Sequence, residues 1–349
     1  MSNYTIKEIA RIAGVGVATV SRVINNGYGV SQETRNKVME VIEKCNYIPN
    51  SNAKNLKQVT SQIICIIVKG TYNPFFYDMV IELQKSVEAK GYIPLVTYID
   101  EEENEIRYAS QLIKEKKAVG IIFLGGSAVD REDELHKLNS PCVYATSNAS
   151  GCNVPGVSSV SIDDRLEAKA AVSYLLDLGH KDILIVGGAI YQKDLIYSRY
   201  KGVLEAFEER GMFFDKENMY LESKFSCGSA YENMSKFFKR MKWITAVFAM
   251  SDIMAIGIAK CAIDNGFRVP EDISIIGFDG IEQAMFYNPT ITTVKQPSVD
   301  IAKKSVDLLI KSIRNKKFSQ HLTLPAKLVK GNSVKLISHQ NLYLNRDIK

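Results

Sequence analysis

The feature that most constrains the fold is a long alternation of apolar segments and amphipathic helical patterns from Ser61 to the region of Lys335. Apolar runs of this kind are typical of strands buried on both faces of a parallel sheet. They form two series, IICIIV (63–68), PLVTY (94–98), VGIIFL (119–124) and CVYAT (142–146), then DILIVGG (182–188), MYLES (219–223), AVFAM (246–250) and SIIGF (274–278). Helical patterns separate them, for example 76–90, 165–178, 197–210 and 252–265, and a helix at 299–316 and a strand near 326–329 follow. Two such series predict an α/β core of two doubly wound parallel-sheet lobes with right-handed crossovers.

The residues that follow the predicted strands are candidates for a binding site, because ligands of such sheets bind beyond the carboxyl ends of the strands. Aromatic rings, charged groups and amides at these places suit a polyhydroxylated ligand. For Phe75 and Phe76 an ordinary core position is the alternative. For Arg199 it is a surface ion pair, and for Asp252 a helix cap. The candidates are Asn73, Phe75, Phe76, Gly125, Gly126, Lys193, Arg199, Ser251, Asp252, Asp279 and Gln296.

The amino-terminal stretch from Thr5 to Asn26 predicts two short helices joined by a glycine turn. Thr5 and Glu8 have the spacing of a capping box, and Gly14-Val15-Gly16 interrupts the helical pattern. A helix, a tight turn and a polar-faced second helix are typical of a helix-turn-helix, whose second helix lies in the DNA major groove. Val17 and Ala18 would then meet thymine methyls and Arg22 a guanine. A small helical interaction domain is the alternative.

A third helix is expected from Ser31, its cap, to about Asn46, with Thr34 and Arg35 near its start in reach of phosphates. The segment from Tyr47 to Lys57 follows, in which Pro49 ends the preceding element. Asn50 can cap a helix of about two turns, which is too short to be stable alone in water. Leu56 would be a wedge in a DNA minor groove if this helix orders on DNA, and a plain linker is the alternative.

Composition and charge narrow the class of protein. The 349 residues exceed one domain, and the net charge of +5 is concentrated in residues 1–60, which hold eight Lys/Arg and four Asp/Glu. Six scattered cysteines without CxxC pairs suit free thiols in a reducing compartment. With no run of about 18 apolar residues and no signal-peptide pattern, we expect a cytoplasmic protein that does not contact a membrane. Phosphate-binding glycine loops, catalytic triads and metal clusters are absent from the sequence, so no enzyme, cofactor or metal site is predicted.

The motifs together resemble the LacI/GalR family of bacterial transcription regulators over nearly the whole chain, to about Lys335. The amino-terminal match consists of TIKEIARIAGVGVATVSRVIN, VSQETRNKVMEVIEKCNYIPN and AKNLK. The later matches are NPFF (73–76), SIDD (161–164), LGHKDILIVGG (178–188), RYKG (199–202), ISIIGFD (273–279) and TTVKQP (292–297). The resemblance implies a homodimer that binds pseudo-palindromic operator DNA, with a helix-turn-helix head and an effector domain like a periplasmic binding protein.

The resemblance also implies roles for individual residues. It assigns DNA contacts to Thr5, Val17, Ala18, Thr19, Ser21, Arg22, Asn25, Ser31, Thr34, Asn50, Ala53, Leu56 and Lys57. In the core, family effector contacts match Phe75, Phe76, Arg199, Phe225, Asp279 and Gln296, and Ile162 is a further candidate for an effector contact. Gly16, Lys54 and Ser251 depart from the residues common in the family. The chain is expected to cross between the lobes near Ile162, Thr292 and Thr323.

These crossings divide the chain into a head (1–49), a hinge (50–60), a first lobe (61–161 and 293–322), a second lobe (162–292 and 323–337) and a polar tail (338–349). The predicted function is a DNA-binding transcriptional repressor whose operator affinity is switched by a small molecule between the lobes. A neutral sugar is favoured, because few cations other than Lys193 and Arg199 are expected in the cleft. A phosphosugar, a nucleoside or a phosphorylated protein stays open as effector, as do a sugar- or nucleoside-binding module and a sugar-metabolising enzyme on the same fold.

Overall fold

The computed structural model describes residues 4–24, 27–47, 62–70, 73–190, 195–240 and 243–337. The chain divides into two compact units, residues 1–61 and residues 62–349. The predicted hinge at 50–60 and the predicted tail at 338–349 lie outside the described residues.

The amino-terminal unit contains three helices, α1 (Ile6–Ala13), α2 (Val17–Ile24) and α3 (Gln32–Lys44). The Thr5 side chain caps α1 and the Glu8 carboxylate bonds back to the Thr5 amide at 2.7 Å, which completes the predicted capping box. Gly14 ends α1 in the left-handed region at φ 64°, where glycine has no steric penalty. The helices enclose a small core of Ile9, Ala10, Ala13, Val20, Val23 and Val38.

The larger unit alternates strands and helices as the apolar pattern predicts. Its helices are α4 (Phe75–Ala89), α5 (Glu105–Lys116), α6 (Glu132–Leu138), α7 (Asp164–Asp177), α8 (Leu195–Glu208), α9 (Lys216–Met219), α10 (Cys227–Arg240), α11 (Asp252–Asp264), α12 (Glu282–Phe286) and α13 (Ser298–Arg314). Its strands are β1 (Ile63–Lys69), β2 (Ile93–Ile99), β3 (Gly120–Leu124), β4 (Cys142–Ala145), β5 (Val157–Ser161), β6 (Ile183–Gly187), β7 (Tyr220–Glu222), β8 (Ala246–Ala249), β9 (Ser274–Asp279), β10 (Thr292–Lys295), β11 (His321–Thr323) and β12 (Lys327–Val329).

These strands form two six-stranded sheets, one in each lobe. The first has the order β11-β5-β4-β3-β1-β2 and is parallel throughout. The second has the order β12-β10-β9-β8-β6-β7 and is parallel except for β12, which runs antiparallel to β10. Because the central strands are buried on both faces, they read as continuous apolar runs.

The chain passes between the two sheets three times. It leaves the first sheet after Ser161, at the end of β5, and again after Thr323, at the end of β11. The return passage lies after Lys295, because β10 pairs with β9 in the second sheet before α13 packs on the first. The predicted boundary at Thr292 was therefore wrong by one short strand. A strand of only four residues, TTVK, gave no apolar run by which to place it.

Candidate functional site

The exposed face of α2 carries the residues that were predicted to read DNA bases. Val17, Ala18 and Arg22 are exposed, and Val17 keeps 42% of its surface accessible although it is apolar. The opposite face is fixed in the small core by Val20 and Val23, which are at most 2% exposed. An amphipathic helix is thus held by one face and presents the other, as a recognition helix requires.

Several of the residues predicted to contact phosphate, among them Thr5, Ser31 and Thr34, lie at helix starts. The Gly16 carbonyl accepts the amides of Thr19 and Val20 at 2.9 and 3.1 Å, so α2 begins without a side-chain cap. The Ser31 hydroxyl caps α3 by accepting the Thr34 amide at 3.2 Å. A helix start presents free N–H groups and a positive dipole end, which suit an anion such as phosphate.

Not every residue predicted to contact DNA is as exposed as Val17. Thr19 and Ser21 are half-buried, and so only part of each side chain is open to a ligand. The prediction that Arg35 reaches phosphate is not supported, because its guanidinium donates to the Gly27 carbonyl at 3.0 Å and the Val23 carbonyl at 3.4 Å. Arg35 instead secures the loop between α2 and α3. Asn25, Asn50, Ala53, Leu56 and Lys57 lie outside the described residues.

A second candidate site is a cavity of about 210 Å³ between the two lobes of the larger unit. It lies at the carboxyl ends of strands from both sheets, where parallel sheets bind ligands. Both lobes contribute aromatic rings and polar groups to its wall. The lining residues are Lys69, Gly70, Asn73, Phe75, Phe76, Glu101, Gly125, Gly126, Thr146, Ser147, Leu195, Arg199, Phe225, Asp279 and Gln296.

Asp279 is the polar centre of this cavity, and its carboxylate connects the lobes. Asn73 of the first lobe donates to Oδ2 of Asp279 at 3.2 Å. Gln296, at the second passage between lobes, donates to Oδ1 at 2.9 Å. Burial raises the pKa of the Asp279 carboxyl to about 6, and the nearby Arg199 charge opposes this. Since Asp279 is only 3% exposed, a ligand that reaches it must exchange hydrogen bonds with these partners.

Arg199 is a buried cation of the cavity wall rather than a residue of a surface ion pair, since only 2% of its surface is accessible. Its Nε donates to Asp164 at 2.9 Å, and Nη1 donates to the Met250 carbonyl. Its Cζ lies 3.7 Å from the centre of the Phe278 ring, in cation–π geometry. Nη2 lies 4.0 Å from Asp279. One guanidinium therefore lies against two buried carboxylates.

Comparisons with known proteins identify the family of the chain. The profile described as bacterial regulatory proteins, lacI family, matches residues 5–50, and a periplasmic binding protein-like domain matches residues 172–334. The transcriptional regulator MalR of Clostridium butyricum is 41% identical over 94% of this chain and 98% of its own length. The chain belongs to the LacI family of transcriptional regulators.

Solved structures agree with this family membership. A complex of the transcriptional regulator CelR with cellobiose is 25% identical over 95% of this chain and 100% of its own length, with a TM-score of 0.69. The Lac repressor dimer bound to operator and an anti-inducer has the same fold, with a TM-score of 0.75 and 22% identity over 96% of this chain and 100% of its own. This LacI-family chain is a helix-turn-helix regulator and not an enzyme on a similar fold. The predicted fold class, a helical head with two parallel-sheet lobes, is confirmed.

Three residues of the regulator that were predicted to contact effector do not line the cavity. Ser251 is fully buried and caps α11 through the Met254 amide. Asp252 is also fully buried, and its Oδ2 accepts the amides of Gly280 and Ile281. Ile162 lines a neighbouring cavity of about 370 Å³, which shares Leu195 and Ser147 with the first. Lys193 lies outside the described residues.

The sequence interpretation missed several residues of the cavity wall. Lys69 ends β1, Thr146 and Ser147 follow β4, and Glu101 follows β2, so the strand-end rule would have found them had it been applied to every strand. Leu195 and the Arg199 partner Asp164 begin helices and gave no such signal. Across the ranges that the structure describes, no cluster of His, Cys, Asp and Glu has the arrangement of a metal site. In the same ranges, no helix combines the length and apolar character needed to cross a lipid bilayer.

Proposed function

We propose that this regulator is a homodimeric repressor that releases or binds its operator in response to a neutral sugar in the cavity between the lobes. The observation that carries the proposal is the hydrogen bond from Asn73 of the first lobe to Asp279 of the second, at 3.2 Å. A ligand hydroxyl that bonds to Asp279 competes with this contact between lobes. The ligand would thereby change the free-energy difference between two lobe arrangements, which an allosteric effector must do.

The charges of the wall favour a neutral ligand. Lys69 lies 3.0 Å from the buried Glu105, and Arg199 is neutralised by Asp164 and Asp279. Both cations of the described wall therefore already have carboxylate partners, which leaves little free positive charge for a phosphate group. The rings of Phe75, Phe76 and Phe225 offer apolar surface for the faces of a sugar ring. The cellobiose complex of the related CelR is consistent with a carbohydrate.

On the DNA side, we infer that α2 enters the major groove of each half-site. Val17 and Ala18 would contact thymine methyl groups, and Arg22 would pair with a guanine. Thr5, Thr19, Ser21, Ser31 and Thr34 would contact phosphates near the helix starts. The proposed wedge Leu56 and its neighbours Asn50, Ala53 and Lys57, like Asn25, remain predictions from the sequence. Two heads are required for a pseudo-palindromic operator, which is why we propose a homodimer.

The proposal is tested by selecting operator sequences from random DNA with the purified protein. Binding to the recovered sequence is then measured at fixed salt with and without glucose, maltose, cellobiose, lactose, glucose 6-phosphate and adenosine. We expect a palindrome whose affinity changes with one of the neutral sugars. A response to the phosphosugar or the nucleoside instead would reject the neutral-sugar assignment, and failure to select any sequence would reject specific operator recognition.

Replacement of Arg22 separates base reading from general charge attraction. Arg22→Ala should lower affinity for the selected operator by about 1–3 kcal/mol, because a bidentate pair with guanine is lost. Lys44→Ala removes one positive charge from the same unit at an exposed position, where Lys44 pairs with Glu40, and serves as the matched control. Equal losses for the two variants in a fluorescence-anisotropy titration would show that Arg22 contributes only charge.

A further inference from the structure

Asp252 is a buried carboxylate next to the cavity that touches the loop behind Asp279 instead of the cavity itself. It is the first residue of α11 and is fully buried. Its Oδ2 accepts the Gly280 amide at 2.7 Å and the Ile281 amide at 2.9 Å. These are the two residues that directly follow Asp279, so Asp252 binds the start of the loop that follows it.

Asp279 itself has an unusual backbone conformation. Its φ is +114°, in the region that side-chain-bearing residues rarely adopt, and Gly280 follows at φ +77°. Such a conformation persists only when surrounding contacts hold it. The Asp279 side chain bonds Asn73 and Gln296, but these contacts fix the carboxylate and not the peptide that follows it. Two described contacts hold this peptide: the Gln296 amide donates to the Asp279 carbonyl at 3.1 Å, and the Gly280 amide donates to Asp252, which also accepts the Ile281 amide.

A glycine on β9 leaves the space that the Asp252 side chain occupies. A Cβ on Gly277, two residues before Asp279 on β9, would lie only 2.1 Å from Oδ1 of Asp252. Gly277 therefore permits α11 to approach β9 closely enough for the carboxylate to reach beneath the strand end. Oδ1 of Asp252 and the Thr293 hydroxyl on β10 are both buried. The hydroxyl lies close enough to Asp252 to lower the pKa of its carboxyl by hydrogen bonding, which partly opposes the effect of burial.

We propose that Asp252 is a positioning residue for effector recognition: through the Gly280 and Ile281 amides it holds Asp279 in the strained conformation that aims its carboxylate at Asn73 and the ligand. The proposal rests on the proposed function of the cavity, because it assigns to Asp279 the contact with effector. Asp252 makes no contact with ligand in this role. Its effect on effector affinity passes entirely through the loop after β9.

The charges around Asp252 indicate its protonation state. Burial, together with the nearby Asp279 carboxylate of β9, raises the pKa of the Asp252 carboxyl to about 8. Thr293 of β10 is neutral, and Arg199 of α8 reaches Asp279 at 4.0 Å while it bonds Asp164 of α7. Near neutral pH, Asp252 is thus largely a neutral acid that retains a carbonyl oxygen for the two amides. Asn has the same shape, the same acceptor oxygen and a donor group in place of the acidic proton.

Amide hydrogen exchange of the full-length protein tests the positioning role without a ligand. In Asp252→Ala, protection of the Gly280 and Ile281 amides should fall at least tenfold, whereas Asp252→Asn should retain it. Ser251→Ala is the matched control, because Ser251 is equally buried and caps the same helix but does not bond to this loop. Unchanged protection in Asp252→Ala, or an equal loss in Ser251→Ala, would overturn the proposal.

Sugar binding provides the functional measurement. With maltose and cellobiose as probes in titration calorimetry, the Kd of Asp252→Ala should rise at least tenfold and that of Asp252→Asn should stay within threefold. If Asp252→Asn loses affinity as strongly as Asp252→Ala, Asp252 does not act in the proposed way. If neither sugar binds the wild type, the sugar assignment fails, and the exchange measurement alone decides the positioning role.

Thermal unfolding across pH tests the protonation state of Asp252 separately from its positioning role. A carboxyl whose pKa is raised in the folded state stabilises that state below its unfolded pKa and loses this contribution as the pH rises through the folded value. The wild type should therefore lose more stability between pH 6 and pH 9 than Asp252→Asn. Parallel curves would contradict a protonated Asp252.

Discussion

The head and the cavity of this LacI-family regulator hold their functional side chains in opposite ways. On α2 the residues that are predicted to contact DNA, Val17, Ala18 and Arg22, are exposed, and other residues of the same helix fix it. In the cavity Arg199, Asp279 and Gln296 are at most 3% exposed and hold one another. Exposed contact residues can be replaced without unfolding the protein, whereas buried charged ones contribute to binding and folding together.

The two regions also differ in how far apart in sequence their partners are. The capping box of α1 joins residues three positions apart, and Arg35 bonds carbonyls at most 12 positions away. The bond between Asn73 and Asp279 spans 206 positions, and the bond between Arg199 and Asp164 spans 35. The head is therefore specified locally, while the cavity exists only once both sheets have formed.

The largest effect on stability is expected from Arg199→Ala. It leaves Asp164 and Asp279 buried without their cation, which should lower the free energy of unfolding by about 3–5 kcal/mol. Arg165→Ala is the control, because Arg165 forms a similar pair with Glu205 at 3.0 Å but is 57% exposed, and its loss should cost about 1 kcal/mol or less. Urea unfolding followed by the fluorescence of the single Trp243, in the second lobe, measures both. Equal losses would remove the contrast between buried and exposed charge.

The next effect concerns the small core of the head. Ile9→Ala should cost about 2–5 kcal/mol, which is comparable with the whole stability expected of so small a unit. The variant should lose operator binding while its Trp243 unfolding midpoint stays at the wild-type value. If Ile9→Ala bound operator normally, the free energy of unfolding of the head would have to exceed the loss caused by this substitution.

The pH dependence of stability should have opposite signs in the two regions. Burial raises the pKa of Asp164 and of Asp279 to about 6, so their contribution to the larger unit is present at low pH and is lost as the pH rises through about 6. In the head, the Thr5 backbone and side chain lower the pKa of Glu8, so its contribution is lost as the pH falls through that lowered value. Trp243 fluorescence and the amide protection of α1, recorded from pH 3 to pH 8, would reveal the two signs. A shared sign would show that other groups dominate.

The smallest effect on stability is expected at the recognition surface. Val17→Ser should change the free energy of unfolding by no more than about 0.5 kcal/mol, because the side chain is already 42% exposed. Its affinity for the selected operator should nevertheless fall, since a hydroxyl replaces the methyl groups that face thymine. Val20→Ala, one turn away and fully buried, is the control that should lose both stability and DNA binding. If Val17→Ser lost as much free energy of unfolding as Val20→Ala, Val17 would be part of the core.

Much of this architecture was predictable because its signals are local. Thr5 and Glu8 predict the start of α1, and Gly14 predicts its end. Runs such as IICIIV predict strands that are buried on both faces. The short strands β5, β10 and β11 were missed, since VSSVS, TTVK and HLT have no apolar run. The boundary between lobes at Thr292 was misplaced for the same reason.

The candidate cavity was predictable only in part. The rule that ligands lie beyond strand ends predicted Asn73, Phe75, Phe76, Arg199, Asp279 and Gln296, all of which line one cavity, and the family resemblance added Phe225. The strand-end rule could not distinguish Asp279, whose side chain points into the cavity, from Asp252, whose side chain bonds the neighbouring loop. Asp279 is the last residue of a buried strand, and Asp252 comes shortly after another. Only the path of the chain beyond each strand decides which of the two carboxylates reaches the cavity.

The sequence by itself determined the helix-turn-helix, the succession of strands and helices in two lobes, and the family, because capping, periodicity and motif spacing act over a few residues. Tertiary structure alone decided which charges are paired, which carboxylate faces the cavity and where the chain passes between lobes. Those outcomes depend on burial and on contacts between residues far apart in sequence, such as Asn73 with Asp279 and Arg199 with Asp164. The free energy of a buried charge is set by its partners in space, and a sequence pattern does not contain them.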